Sequence, residues 1–518
     1  MAPLMDSPDP HVSPRAPRWA PGLELAAIFA YGFGVLAYLQ FAGPAIPGYD
    51  GYYHIRVAQL MTVQGWVLDF PWLPYTLLGP ERYTDHHWLL HVLQVPFVWA
   101  FDDLAVAAKW SAVFVGALAA TAFGGLALRH RLRWPALWVL LFFAASEPFL
   151  FRLSMPRGQA LALILQLLAF HYLITRRAVA LAVLGGVFVL AYNGFPILAP
   201  LVLFALVAHY VHRQRIEWPL ALAAAVGVGA GLLIHPYFPN DVYFLWDHIV
   251  PKLFSDRYAT NVGSEWYPYK TWTWFTGSAV AVLAFLAGLF FLRPGQLRRE
   301  PATLYWLLAA SLFFLLYLKS RRFAEYFPPA AILFLAFVLR ERLAALRWAQ
   351  LRRPWPLAGA AAAAAVVLGG LAHNLKEVHQ DIGGRSPPQA YQGAARYVAA
   401  HSRPGELLVH ADWDDFPALF FHNTHNVYLV GLDPDFLRLR NPALFDEWVR
   451  FTRGRHKDPA AFLQGLDSHW VFSDLKHKRL LRQLRKDPRF EAAYRDDYAA
   501  VFRRLTEASS TPATTSSQ

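Results

Sequence analysis

The sequence predicts a polytopic α-helical membrane protein with a small C-terminal α/β domain outside the bilayer. Three observations carry that fold class. Of the 518 residues, 56% are hydrophobic and only 16% charged, which leaves too little polar surface to cover a water-soluble protein of this size. The apolar residues gather into about eleven runs near membrane-spanning length. Laid end to end, these runs put the strongly basic loops on one side and the acidic, aromatic-rich loops on the other, the partition that positive-inside bias produces.

The first run, 21–39, follows a leader containing Arg15 and Arg18, so the N-terminus belongs on the cytoplasmic side. That leader is long and polar and lacks a small-residue cleavage site, so the first span is expected to stay as an uncleaved anchor. Further spans are expected over 104–128, 134–150, 158–175, 178–195, 197–211, 218–235, 273–292, 301–318, 323–339 and 355–372. Alternating them keeps Arg129–Arg133, Arg176–Arg177, His212–Arg215, Arg293–Arg299 and Arg340–Arg353 inside. Counting Trp88–Phe101 as a span would invert every later loop, so that segment is placed on the outer surface. The Ala/Gly-rich spans are individually short, which implies tilt or burial within the bundle.

Residues 1–372 thus form a membrane domain with large outer loops at 43–103 and 235–272, and 373–508 a second, extracytoplasmic domain opened by Gly383-Gly-Arg-Ser-Pro-Pro388. There, Ser386 with Pro387 can start a helix. Strand-like runs at Leu407–His410, Val427–Val430 and Trp470–Phe472 alternate with helical patterns at Ala443–Phe451 and Leu480–Leu484, which argues for an α/β layer. The tail 509–518 is Ser/Thr/Ala-rich with nothing to bury and is expected to be disordered.

Charge and cysteine content narrow the function. The net charge of +12 sits mainly in the cytoplasmic loops, so membrane orientation and anionic headgroups explain it and no nucleic-acid partner is expected. With no cysteine there is no disulfide framework and no thiolate metal site.

The outer loops hold the polar chemistry. Tyr49-Asp50-Gly-Tyr-Tyr-His54-Ile-Arg56 brings an acid, aromatics, a His and an Arg to the membrane surface. A helix starting near Asp50 would carry His54 on the same face one turn later, although an Asp cap beside interfacial tyrosines fits the spacing equally. Thr84-Asp85-His86-His87-Trp-Leu-Leu-His91 is dense in nitrogen and oxygen donors. Asp85, His87 and His91, completed by Asp50, could hold a divalent cation such as Mg or Mn; the alternative is a capped interfacial helix with wet histidines. In the loop 235–272, Glu265 stands among aromatic residues in Ser264-Glu-Trp-Tyr-Pro268, where an apolar setting would raise its pKa or make it a metal ligand. Lys319-Ser-Arg321-Arg322-Phe-Ala-Glu-Tyr326 breaks the positive-inside pattern at an outer face. A phosphate clamp on a lipid-linked substrate explains it, with snorkelling or a bridge to Glu325 as alternatives.

The order of these features resembles that of the GT-C membrane glycosyltransferases, nearest to the oligosaccharyltransferase catalytic subunit. The features are Asp-x-x-Tyr-His-x-Arg in the first outer loop, an outer juxtamembrane helix ending near Asp103, a Glu-containing late loop, Arg-Phe-x-x-Tyr and an outer C-terminal domain. The resemblance implies that Asp50 is the first-loop catalytic or metal-binding carboxylate and Glu265 the late-loop acid. It places Arg322 and Tyr326 near the substrate, with His54 and Arg56 beside them. Asp412-Trp413-Asp414-Asp415-Phe416 stands where that branch has Trp-Trp-Asp-Tyr-Gly. Trp413 and Asp414 alone match, so substrate contact is implied there but sequon reading is not. The branch also carries an acidic metal-ligand motif shortly after an Arg corresponding to Arg152 or Arg157; here none follows, and Glu147 precedes them.

The expected activity is transfer of a sugar or oligosaccharide from a polyprenyl-phosphate-linked donor to a protein, lipid or polysaccharide acceptor on the extracytoplasmic face. Arg321, Arg322 and Arg157 would hold the phosphate. The alternative is a non-catalytic protein that binds or transports lipid-linked glycans. The Ala/Arg/Leu-rich composition points to a bacterial inner membrane.

Overall fold

A computed structural model describes residues 20–254, 264–346 and 354–505. The leader with Arg15 and Arg18, Asp256, part of the 340–353 basic segment and the 509–518 tail lie outside these residues.

Helices occupy every expected span: Ala20–Gln40, Leu104–Arg129, Pro135–Ala144, Gly158–Ile174, Ala178–Ala191, Leu198–Arg213, Trp218–Ile234, Ala279–Phe291, Pro301–Lys319, Phe327–Ala345 and Pro354–Gly383. Among the described residues, five helices are long and apolar enough to cross a bilayer, or up to seven if two sharply bent pairs each count as one span. The expected span 134–150 is one of these pairs. It breaks after Ala144, where Ser146 accepts from the Phe149 N–H and starts helix Glu147–Leu153 at 100° to the first half. That turn carries Arg152 out of line with the preceding apolar helix. Trp88–Ala100 forms a helix of its own; at 1.5 Å per residue it is about 20 Å long, too short to cross an apolar core of about 30 Å. The helix after residue 354 runs unbroken to Gly383, past the boundary expected near 372.

Small residues bring the short helices together. A Cβ on Gly227 would lie 2.0 Å from the Ala182 carbonyl oxygen, and one on Gly231 would lie 2.8 Å from Gly186. Helices Ala178–Ala191 and Trp218–Ile234 therefore meet backbone to backbone, as apolar helices do when small side chains line the seam.

The C-terminal layer is a five-stranded sheet of β1 (Leu407–His410), β2 (Val427–Tyr428), β3 (Trp470–Asp474), β4 (Phe490–Arg495) and β5 (Ala499–Arg504), in the order β2-β1-β3-β5-β4. β1 lies parallel to both β2 and β3, with Leu408 opposite Tyr428 and Val409 opposite Val471. β5 pairs antiparallel with β3 and β4. β4 and β5 escape the sequence patterning because β4 is a largely exposed edge strand bounded by charges, while β5 buries both faces and lacks alternation. Ser386 does not cap the first helix of the layer: a 3-10 turn over Pro388–Tyr391 intervenes before Gln392–His401.

One face of the sheet is covered by Pro442–Thr452, Pro459–Gly465 and Lys478–Lys486, whose Phe445, Trp448, Leu463 and Leu480 pack on Val409 and Val471. The other face meets Gln392–His401, Phe416–His422 and the first outer loop, where Tyr53, Phe70 and Trp72 join Leu408, Phe420 and Phe472 in one core. Hydrogen bonds hold that seam: Trp72 Nε1 donates to Thr424 O at 2.8 Å, and the Tyr428 N–H donates to Trp72 O at 2.8 Å. The layer is thus fused to the loop that carries Asp50.

Candidate active site

Residues from widely separated segments line one cavity of about 630 Å³. They include Asp50 and His54 from helix Asp50–Gln64, His87 before the Trp88 helix, Arg152 and Arg157, Glu265 and Trp266, Arg321 and Arg322, and Trp413 and Asp414. Every segment expected on the outer face contributes, and none of the basic clusters expected inside does.

Its centre is a carboxylate–guanidinium network. Arg157 pairs with Asp50 at 2.9 Å and reaches Glu265 at 3.9 Å. Glu265 also meets Arg152 at 3.2 Å and Arg322 at 3.7 Å, and Arg152 forms a second ion pair with buried Glu325. Burial would raise the Glu265 pKa, but Arg152, Arg322 and Arg157 outweigh it and hold this carboxyl well below the usual range. The aromatic setting therefore does not raise the pKa as the sequence suggested; the cations missing from the sequence argument reverse the sign. Asp50 goes the other way: burial lifts its pKa above the ordinary value, with Arg157 offsetting part of the rise. The two acids are driven apart, Glu265 fixed as a charge anchor and Asp50 made the more readily protonated of the pair.

Local packing fixes both. A Cβ at Gly51 would sit 2.6 Å from both Ile46 and Pro156, so only glycine lets the start of the Asp50 helix approach the segment bearing Arg157 this closely. Ser320 Oγ donates to Glu265 O at 2.8 Å and accepts from the Arg322 N–H at 3.3 Å, tying the late loop to the arginine turn. The Arg322 guanidinium lies 4.8 Å over Trp266, and Arg321 lies 4.7 Å over Tyr269. Tyr192 serves as hydrogen-bond partner of both Arg322 and Tyr326.

Other expected residues fall elsewhere. Arg56 points away from the cavity: it donates to Phe421 O and stacks over the Phe421 ring at 5.5 Å, fastening the first-loop helix to the C-terminal layer. Tyr326 is buried behind Arg322 and does not line the cavity. Asp85 and His91, 1% and 0% exposed, are spent on a buried chain in which His91 Nδ1 meets Asp85 Oδ2 at 2.6 Å and His91 Nε2 meets His54 Nδ1 at 2.8 Å. Burial keeps His54 and His87 well below their ordinary pKa, hence neutral.

The cation set Asp50, Asp85, His87 and His91 does not assemble. Among the described residues no three His, Asp or Glu side chains group so as to hold a metal ion, and a guanidinium bridges Asp50 and Glu265. The donor set present does not fit a divalent cation in the form the sequence suggested.

Sequence reasoning passed over Arg152, Tyr192 and Glu325 as site residues. Arg152 had a signal, an arginine inside an apolar run, but its partners lie more than a hundred positions away in sequence. Tyr192 falls inside the expected span 178–195 and nothing in the local sequence sets it apart.

No family model and no curated protein sequence matches the chain. Solved structures do. The archaeal oligosaccharyltransferase AglB from Archaeoglobus fulgidus, in complex with an inhibitory peptide and a dolichol-phosphate, is 13% identical and superposes with a TM-score of 0.65, covering 89% of this chain and 70% of that one. ArnT from Cupriavidus metallidurans bound to undecaprenyl phosphate is 17% identical with a TM-score of 0.55, covering 94% and 99%. The arabinofuranosyltransferase AftD from Mycobacteria is 16% identical with a TM-score of 0.53, covering 93% of this chain and 40% of that one. The chain is therefore similar in fold to these GT-C membrane glycosyltransferases, the likeness that the order of the sequence features suggested.

Proposed function

We propose that the protein transfers a sugar or oligosaccharide from a polyprenyl-phosphate-linked donor to an acceptor hydroxyl or amide at the extracytoplasmic face of a bacterial inner membrane. About eleven spans, an N-terminus in the cytoplasm and a C-terminal layer in the periplasm complete the reading. The observation that carries it is the cavity in which Asp50, with its raised pKa, and the guanidinia of Arg157 and Arg322 share one centre. The dolichol-phosphate bound to AglB and the undecaprenyl phosphate bound to ArnT support the donor class.

Arg322 and Arg157 contact Glu265 at 3.7 and 3.9 Å, longer than a direct charge-assisted hydrogen bond of about 2.7–2.9 Å. They are placed to shift onto a phosphate with little cost, and Arg321 joins them from the same turn. Arg152, locked between Glu265 and Glu325, keeps the acid that anchors them ionised. Asp50 takes the proton of the acceptor as its oxygen or nitrogen attacks the anomeric carbon. The bond from that carbon to the phosphate oxygen breaks, and its electron pair leaves with the phosphate, whose charge the guanidinia neutralise.

The test is transfer of labelled sugar from a polyprenyl-phosphate donor pool in membranes carrying wild type, Asp50→Ala or no enzyme, with and without EDTA. Transfer by the wild type alone, unaffected by EDTA, is the expected result. Equal transfer by a folded Asp50→Ala protein would move the reading to glycan binding or transport, and loss in EDTA would restore a cation to the centre.

A further inference from the structure

A second cavity of about 640 Å³ lies in the C-terminal layer, lined by Ala411–Asp414, the Trp448–Arg455 turn and Lys476–Arg479. Its place in the sheet is specific. β1 leads forward into a helix on one face and β2 then returns to β3 along helices on the other, so the connections diverge between the adjacent parallel strands β1 and β3. Such a divergence opens a crevice beyond the carboxyl ends of the two strands, where doubly wound sheets bind their ligands. The cavity occupies that position: Ala411–Asp414 follow β1 directly, and Lys476–Arg479 follow β3.

The lining has three kinds of group. Arg453, Arg455, Lys476, Lys478 and Arg479 are exposed cations on its rim; Lys476 reaches Asp474 only at 3.9 Å. Trp413 supplies an aromatic face, backed by buried Trp448, whose Nε1 donates to His410 O at 3.1 Å. Asp412 and Asp414 supply oxygen acceptors, with His477 held against Asp474 at 2.5 Å and 3.9 Å from Asp412. Burial, reinforced by the neighbouring Asp412 and Asp474 carboxyls, pushes Asp414 up to about 7, so one acid of the pair sheds part of its charge near neutrality. Aromatic faces with short carboxyl acceptors suit the ring and hydroxyls of a sugar, whereas five rim cations suit an anionic substituent. Trp413 and Asp414 line the first cavity as well, so a chain seated here continues over them toward Asp50.

We propose that this switch-point cavity binds an anionic sugar of the acceptor, one bearing phosphate or carboxylate, and so sets the acceptor's class and register. The inference rests on the transferase reading, since it names that reaction's acceptor. Full-length protein in detergent would be titrated, without donor, with a heparin hexasaccharide, with neutral isomaltohexaose and with inorganic pyrophosphate. Saturable binding of the anionic hexasaccharide at least tenfold tighter than of the neutral one is expected. Arg453→Gln/Arg479→Gln, both exposed and therefore tolerant of change, should weaken it at least tenfold. Arg495→Gln, an exposed cation on β4 outside the cavity, should leave it unchanged. Trp413→Ala should weaken the hexasaccharide and leave pyrophosphate as it was, separating ring from charge recognition. Equal affinity for the neutral chain, no saturable binding, or the same loss from Arg495→Gln would overturn the proposal. With donor absent, such a result leaves the transferase reading standing; that reading falls on its own test at Asp50.

Discussion

Arg157→Ala separates Asp50 from Glu265. Among the described residues, Arg157 is the one that pairs with Asp50, at 2.9 Å, while also reaching Glu265. Its removal deletes a charge-assisted contact to the departing phosphate, worth about 1.5–3 kcal/mol, which corresponds to roughly 10- to 160-fold in kcat/KM. A second consequence has a definite sign. Arg157 lowers the Asp50 pKa against the rise caused by burial, so without it the carboxyl moves further up and the acidic limb of the kcat/KM profile shifts to higher pH. Arg157→Lys restores charge without the fork and should recover part of the rate and most of the pH shift. The assay is initial-rate transfer from a purified polyprenyl-phosphate sugar across pH 5 to 9, with thermal melts to confirm folding. A folded Arg157→Ala protein within about threefold of wild type, or an acidic limb moving to lower pH, would refute the assignment of Arg157 and Asp50 as a coupled pair.

Three other outcomes follow from the same geometry. Arg152→Met strands Glu325 and strips the strongest partner from Glu265, so it should lower stability by about 3–5 kcal/mol, while adding Glu325→Gln should recover much of the loss in the same melts. Gly51→Ala forces a Cβ into Ile46 and Pro156; overpacking of this kind costs about 1–3 kcal/mol, and transfer should fall more than stability because the displaced residue is Asp50's neighbour. Asp414 has its folded pKa raised to about 7, so relative to the unfolded chain it favours the fold below about pH 4 and loses that contribution as pH rises through 7. Asp414→Asn should therefore raise Tm at pH 8 and change it little at pH 4; a larger gain at pH 4 would contradict the shift.

The helices were legible in the sequence because an apolar segment must close its hydrogen bonds internally, whatever it packs against. All eleven expected spans fall on helices for that reason. The Arg321–Arg322 pair stood out because it breaks the positive-inside pattern the rest of the chain keeps, whereas the spacing around Asp50 fitted a helix cap equally well. The break at Ser146 was not, because the apolar count runs on through it and only the cap turns the chain. The short strands β4 and β5 were missed where period and burial disagree.

Amphipathic period and the hydrogen-bonding demand of an apolar environment are local properties, so sequence alone determined the helices, the loops that gather polar chemistry and the α/β character of the C-terminus. Coulomb interaction depends on distance in space and not along the chain. Only the tertiary structure, by setting Arg152, Arg157 and Arg322 around Glu265 and turning Asp85 and His91 onto each other, decided that the centre is built on guanidinia, that Glu265 is the low-pKa acid and Asp50 the high one, and that Arg56 is a fastener. It also put Trp413 and Asp414 between two cavities, a placement fixed by the diverging connections of β1 and β3.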